Sequence, residues 1–121
     1  MQFRAGIPVH QQVVYAVKKA IVSRQIQPGD SFPSVRQLSQ ELKINPNTAH
    51  KIVGTLINEG LLEVRPGIGT IVGKAPAATR IQRSMLLKQE AEHLVVEARN
   101  LALELEDVLD AIRKHWNHLG G

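Results

Sequence analysis

The chain has no cysteine, few aromatic residues and no long hydrophobic run, and each absence excludes a class of protein. Without cysteine there can be no disulfide framework, thiolate metal site or cysteine nucleophile. Aromatic residues make up only 3% of the 121 residues, so the core should consist of aliphatic side chains. The apolar runs are too short to span a bilayer, and residues 1–6 lack the apolar stretch of a secretory signal. These absences predict a cytoplasmic protein with no membrane partner.

The signatures of enzymes and metal sites are also missing. No nucleophile–base set, phosphate-binding loop or acidic metal cluster stands out, and Gly67 and Gly69 lack the rest of a nucleotide fingerprint. His115 and His118 would share a helical face, but no third ligand accompanies them, so a surface pair is the simpler interpretation. The sequence therefore predicts a protein that is not an enzyme and holds no metal or cofactor.

Positive charge is concentrated in the first part of the chain. Residues 1–74 carry nine basic and four acidic side chains, whereas residues 75–121 carry six basic and seven acidic ones. A basic excess favours a polyanionic partner, and the nearly neutral tail favours contact with protein. The charge pattern thus points to a nucleic-acid-binding part followed by an interaction segment.

Two helices are predicted before residue 45. Apolar residues three and four positions apart indicate an amphipathic helix from about Pro8 to Gln25, and the turn residues at 28–30 end it. Ser34 and Gln37 have the spacing of a capping box at the start of a second, short helix. The buried stripe of the second helix should comprise Val35, Leu38 and Leu42.

The third helix should have two chemically different sides. Asn45 is a favoured N-cap, Pro46 a favoured first helical residue and Gly60 a favoured C-terminal cap. One side of this helix is apolar, with Ala49, Ile52, Val53, Leu56 and Ile57. The first turns of the helix also carry the polar residues Asn47, Thr48, His50 and Lys51, which should point largely away from the apolar side.

A β-hairpin should follow the third helix. Residues 61–64 and 70–72 are β-prone, and Pro66-Gly67 between them fits the central positions of a type II turn. Residues 31–33 could add a third, very short strand. The element order predicts a mainly α fold with a small β-wing, a winged helix-turn-helix over residues 7–74.

Residues 75–121 are predicted to form a helical dimerisation region. A linker covers 74–79, and no glycine or proline interrupts residues 79–118. Small and apolar residues recur at alternating steps of four and three, as in a heptad seam: Ala91, Val95, Ala98, Ala102, Leu105, Leu109, Ile112 and Trp116. Because a lone helical tail cannot bury a wide apolar stripe by itself, an intermolecular seam is favoured over packing against the winged helix. The sequence leaves open whether the tail is one long helix or two.

The predicted helix-turn-helix has residues that could read DNA. In this motif the second helix, which is the third helix of the chain, enters the major groove and presents its N-terminal residues to base edges. Asn47 could pair with adenine, the methyl group of Thr48 could contact thymine, and Lys51 could reach guanine or a phosphate. Arg36 is placed to hold the DNA backbone, and a hairpin tip with Arg65 and two glycines is small enough for a minor groove.

Several linked motifs, in order and without a gap over about residues 7–73, resemble the GntR family of bacterial regulators. The segments that carry the resemblance are 27–38 (QPGDSFPSVRQL), 45–48 (NPNT), 59–62 (EGLL) and 67–72 (GIGTIV). The NPNT start and the short tail resemble the YtrA-like subfamily, in which the tail is two dimerising helices. The resemblance implies a repressor that forms a homodimer, and the two-fold symmetry of a dimer would call for a near-palindromic operator.

The resemblance also implies roles for individual residues. Arg36 falls on the phosphate-contacting arginine of the family, and Gly67 and Gly69 fall on its wing tip. The recognition-helix contact positions of the family correspond to Asn45, Asn47, Thr48 and His50. Many members carry Arg or Gln where this chain has His50, and Arg or Ser where it has Pro46, which affects the base sequence that is read. The complete predicted DNA-binding set is Ser34, Arg36, Asn45, Asn47, Thr48, His50, Lys51, Arg65, Gly67 and Gly69.

Two other functions are compatible with a winged helix. One is a protein-binding module, because winged helices are reused for protein recognition. The other is an architectural or replication-associated DNA binder with weak sequence preference. No effector, operator or target gene can be read from the residues.

Overall fold

The computed structural model describes residues 1–120, which divide into two compact units, Met1–Pro76 and a second unit that starts at Ala77. The first unit contains helices α1 (Val9–Val22), α2 (Val35–Leu42) and α3 (Pro46–Asn58), then strands β1 (Leu62–Arg65) and β2 (Gly69–Val72). The second unit is helical and is described below. The mainly helical fold with a small β-wing is therefore confirmed. Within residues 1–120, no helix is both long enough and apolar enough to cross a bilayer.

The core of the first unit is aliphatic, as the scarcity of aromatic residues predicted. Two of the few aromatic residues, Phe3 and Phe32, pack at its edge. Phe3 lies before residue 7, so the core includes residues upstream of the predicted start of the domain. The buried side chains of the core are Val13, Val14, Leu38, Ala49, Ile52, Val53, Leu56, Leu62 and Val72.

Local side-chain caps define the helix-turn-helix. Ser34 Oγ accepts a hydrogen bond from the Gln37 N–H at 3.2 Å, and Gln37 Oε1 accepts one from the Ser34 N–H at 2.9 Å, which is the predicted capping box. The helix α2 ends at Leu42, and its C-cap residue Lys43 has a left-handed φ of 54°. Ser39 Oγ then donates to the carbonyl oxygen of Ile44 at 2.7 Å and fixes the turn before α3.

The end of α3 is closed by Gly60, as predicted. Gly60 has a φ of 76°, and the amide of Leu61 donates to the carbonyl oxygen of Leu56 at 2.9 Å, as in a Schellman motif. The chain that leaves β2 passes close to this point, because the Gly73 N–H donates to the Leu61 carbonyl oxygen at 2.9 Å. A side chain at Gly60 would come within 2.9 Å of Pro76.

The wing is a two-stranded antiparallel hairpin whose register pairs Arg65 with Gly69. The Ile68 N–H donates to the Arg65 carbonyl oxygen at 3.0 Å, and Gly67 has a φ of 79°, as the type II turn required. Each strand extends one residue further towards the turn than predicted. The strand β1 ends at Arg65 and β2 begins at Gly69, because these two residues pair with each other. The predicted third strand is a single bridge between Ser31 and Ile71.

The first helix is shorter than predicted. It ends at Val22 and not at Gln25, because Arg24 adopts a left-handed φ of 63°. The Gln25 N–H donates to the carbonyl oxygen of Ala20 at 2.9 Å, which turns the chain out of the helix.

The second unit contains two helical stretches. The first consists of α4 (Arg80–Ser84), a π-helical segment (Met85–Glu90) and α5 (Ala91–Asn100), and the second is α6 (Leu105–His118). A capping box between Thr79 and Gln82 starts α4.

The break before α6 answers the question that the sequence left open. Ala102 has a left-handed φ of 57°, and the Leu103 N–H donates to the Ala98 carbonyl oxygen at 2.9 Å. The residues from Ala91 to Ile112 therefore do not lie along one continuous helix, because the helical phase is lost at Ala102. Ala98 is only 6% exposed, so its side chain has little surface left for a partner.

Candidate nucleic-acid interface

The two sides of α3 differ as the sequence predicted. Ala49 and Ile52 are completely buried against the core, and Val53 and Leu56 are buried beside them. Asn47, His50 and Lys51 are exposed on the same helix, while Thr48 is half-buried. The apolar side fixes the helix on the domain, and the exposed side leaves an amide, an imidazole and an ammonium group accessible near its N-terminus.

Asn45 has a structural role in addition to any contact with DNA. Its Oδ1 accepts a hydrogen bond from the Asn47 N–H at 2.7 Å, which caps α3. The oxygen is therefore engaged, and the side-chain NH₂ group is the part that remains to donate. A donor at a helix N-terminus suits a phosphate oxygen, because the helix dipole is positive there. This arrangement favours backbone positioning over base reading for Asn45.

The start of α2 offers a second group of donors. Ser34 uses its oxygen as a cap acceptor, so its hydroxyl hydrogen remains available. Arg36 lies in the first turn of α2 and is exposed. Among residues 1–120, neither Arg36 nor Lys51 forms an ion pair with a carboxylate. Both cations are therefore available to an external anion.

The wing presents a small, open tip. Gly67 and Gly69 have φ values of 79° and 111°, and a side chain at either position would meet no atom within 4 Å. Arg65 Nη2 lies 3.3 Å from Glu63 Oε1, and both side chains are about half exposed. Because an exposed ion pair of this kind is worth about 0–1 kcal/mol, it would not prevent Arg65 from turning to a phosphate.

The predicted DNA-binding residues fall into two groups along the first unit. Ser34, Arg36 and the residues of 45–51 belong to the two helices and the turn of the helix-turn-helix, whereas Arg65, Gly67 and Gly69 form the wing that follows. The wing is fixed to α3, the helix that would read bases, because β1 packs directly against it.

Sequence reasoning missed Lys43 as a candidate contact. This exposed cation lies in the turn between α2 and α3, immediately before the helix that would read bases. A basic residue at that place in a helix-turn-helix was the available signal.

In the part of the chain that the structure describes, no group of three or more His, Cys, Asp or Glu side chains could hold a metal ion.

Comparison with known proteins identifies the family. Residues 9–72 match the family of bacterial regulatory proteins named gntR. The chain is 30% identical over 112 residues to the HTH-type transcriptional repressor YtrA of Bacillus subtilis strain 168, which covers 92% of the chain and 86% of that protein. It is 28% identical over 112 residues to the HTH-type transcriptional regulator YhcF of the same strain, covering 93% of each.

A solved structure supports the fold. A transcriptional antiterminator from Listeria monocytogenes EGD-e superposes with a TM-score of 0.84 at 18% identity, covering all of this chain and 92% of the other. The matched family consists of regulatory proteins, and both relatives are named as transcription regulators, which confirms that the chain is a regulator and not an enzyme. The chain thus belongs to the GntR family of bacterial transcription regulators, and its winged helix-turn-helix is the DNA-binding domain.

Proposed function

We propose that the chain is a sequence-specific repressor that binds a near-palindromic operator as a homodimer in the cytoplasm. The observation that carries the proposal is the division of α3 into a fully buried apolar side and an exposed polar side. A helix fixed in this way keeps its reading side chains in one position relative to the domain, as base recognition requires.

Asn47 and His50 are the residues assigned to base reading. An asparagine amide can both donate and accept, so it can pair with N6 and N7 of adenine in the major groove. The Asn47 side chain is free for this role because the cap of α3 uses the side chain of Asn45 and only the backbone of Asn47. The Thr48 methyl group is less accessible to a thymine, since Thr48 is half-buried.

The phosphate backbone is assigned to Ser34, Arg36, Asn45 and Lys51. The starts of α2 and α3 each combine a capping side chain with a positive dipole end, although α3 has fewer N–H groups to offer because Pro46 has none. Arg36 and Lys51 add full charges beside these starts. Such contacts set the register of a protein on the duplex, while base contacts provide the specificity.

The second unit is assigned to dimerisation. Several large apolar side chains of its helices are exposed in the single chain, including Val95 at 48%, Leu105 at 67% and Ile112 at 44%. Removing apolar surface from water contributes roughly 25 cal/mol per Å², from which the entropy lost on association is subtracted. The interface assignment comprises Ala91, Val95, Leu105, Leu109 and Ile112 as main contacts, with Ala98 and Ala102 contributing through backbone packing at the bend.

A dimer would also supply the sequence information that one winged helix lacks. One domain contacts few base pairs, whereas two linked domains engage two half-sites and the second contact becomes intramolecular. Two-fold symmetry of the protein then calls for a near-palindromic site. Repression is supported by the relative named as the repressor YtrA, with which most of the chain aligns.

Selection of bound sequences from a random DNA pool tests the proposal. The full chain should enrich one near-palindromic sequence, and the Asn47→Ala variant should not enrich the same bases at the position that Asn47 reads. Enrichment of no sequence, with binding to all DNA, would instead indicate an architectural binder. Absence of DNA binding would indicate a winged helix that recognises protein.

A further inference from the structure

The tip of the wing has the most exposed large apolar side chain in the first unit. Ile68 is 70% exposed, compared with 66% for Tyr15, the next in the first unit, and 61% for Val64. It lies between Gly67 and Gly69, at whose positions a side chain would meet only open space. The isoleucine therefore stands at the tip without a neighbouring side chain on either flank in the sequence.

The backbone that carries Ile68 is fixed in place. Its N–H donates to the Arg65 carbonyl oxygen at 3.0 Å, so the residue belongs to a closed turn. The base of the hairpin is attached to the domain, because the Phe32 N–H donates to the Thr70 carbonyl oxygen at 2.9 Å and the Gly29 N–H donates to the Val72 carbonyl oxygen at 2.8 Å. Inserting the side chain into a partner would therefore require little ordering of the backbone.

The surroundings of Ile68 fit the minor groove of DNA better than a protein surface. The minor groove is about 6 Å wide and strongly negative, and Arg65 precedes the turn with one exposed partner, Glu63, at 3.3 Å. An apolar protein partner would need a contiguous patch of a few hundred Å². The tip instead offers one branched side chain between two glycines.

We propose that Ile68 enters the minor groove as an apolar wedge, opens one base step and bends the operator there. The inference rests on the proposed function, since it assumes that the helix-turn-helix places the wing on DNA. Apolar side chains that enter this groove partly unstack a base step and kink the duplex towards the major groove. The operator affinity then depends on how easily that step deforms.

The wedge predicts a preference that direct base contacts would not produce. Pyrimidine–purine steps such as TA unstack easily, whereas A-tracts are stiff. An operator with TA under the wing should bind about tenfold more tightly than one with AA there, a difference of the size seen for one base-pair change. The bend should be larger on the TA operator.

The test uses the full chain and the operator obtained by selection, with the step under the wing located by hydroxyl-radical footprinting. Affinity and end-to-end energy transfer are measured on matched TA and AA operators. In the Ile68→Ala variant the ratio of the two affinities should fall towards one, and the bend should decrease. Ile68→Phe should restore both, because a flat ring is also an effective wedge.

Val64→Ala provides the matched control, since it removes the other exposed aliphatic side chain of the wing away from the turn. This variant should keep the preference for TA and the bend. An Ile68→Ala variant with unchanged preference and bend would overturn the wedge but leave the proposed function intact. A wild-type chain that binds no DNA would overturn both.

Discussion

His10 Nε2 and Thr55 Oγ1 are 2.9 Å apart and share a hydrogen bond that joins α1 to the reading helix α3. Both residues are partly buried, and 45 positions of sequence separate them. A second link between the two helices is ionic and exposed, with Lys18 Nζ 3.1 Å from Glu59 Oε1. The apolar packing of α3 against α1 is therefore supplemented by one partly buried polar contact and one exposed ion pair.

The shielded link should contribute more to stability than the exposed one. Thr55→Val leaves the His10 ring nitrogen without its partner and should lower the free energy of unfolding by about 1 kcal/mol. Lys18→Ala, the matched control on the same pair of helices, should change it by less than about 0.5 kcal/mol. Urea unfolding monitored by circular dichroism measures both. Equal losses would mean that the His10–Thr55 contact is not shielded.

Asn45 should separate helix capping from DNA binding. Asn45→Ala removes the cap and should cost about 1 kcal/mol of stability. Asn45→Asp keeps an acceptor for the Asn47 N–H and should preserve stability, but its carboxylate should repel phosphate and weaken binding. Thermal unfolding and operator titration give the two quantities. An Asp variant with full operator affinity would remove Asn45 from the backbone contacts.

The substitutions Asn47→Ala and Arg36→Ala should reduce the affinity for operator and for random DNA by different amounts. Asn47→Ala should cost about 1–3 kcal/mol on the operator and much less on random DNA, because it removes a base contact. Arg36→Ala should weaken binding to both DNAs, since phosphates are common to all sequences. The measurement is fluorescence anisotropy at one fixed salt concentration. Equal losses on both DNAs for Asn47→Ala would contradict its role in base reading.

The sign of the stability change in Ala102→Gly distinguishes a tail that bends at residue 102 from one continuous helix. At a left-handed φ of 57°, glycine relieves strain and should raise stability by about 1 kcal/mol. In a continuous helix, glycine would instead lower stability by about 1 kcal/mol relative to alanine. Denaturant unfolding gives the sign directly. Ala111→Gly inside α6 is the matched control and should be destabilising.

Charged side chains in the tail should dissociate the dimer. The Leu105→Glu, Ile112→Glu double variant places two carboxylates where the proposed interface buries apolar surface, so sedimentation should report a folded monomer with weakened operator binding. Asn117→Glu adds negative charge to the same helix on the side of Glu106 and Asp110 and should remain a dimer. A double variant that stays dimeric with full operator affinity would place the interface elsewhere.

The features that could be predicted from sequence are those that a few adjacent residues determine. The Ser34–Gln37 box, the Asn45 cap and the turn at Gly67 each depend on side chains within three positions, and all three occur as predicted. The bend at Ala102 could not be predicted, because alanine there has a high helix propensity and adopts a left-handed φ only through the surrounding structure. The His10–Thr55 contact was missed because it depends on tertiary packing across 45 residues.

The π-helical segment at Met85–Glu90 determines how the first stretch of the tail tolerates a change in length. A π turn accommodates one residue more than an α-helical turn without lengthening the stretch proportionally. Each residue of an α-helix advances about 100° around the axis, as 3.6 residues complete a turn. Each residue of the wider π turn advances by a smaller angle, so deleting one residue within this segment would restore regular α-helix with little rotation of α4 relative to α5. The first stretch of the tail can therefore lose one residue here without changing which faces of α4 and α5 lie on the same side.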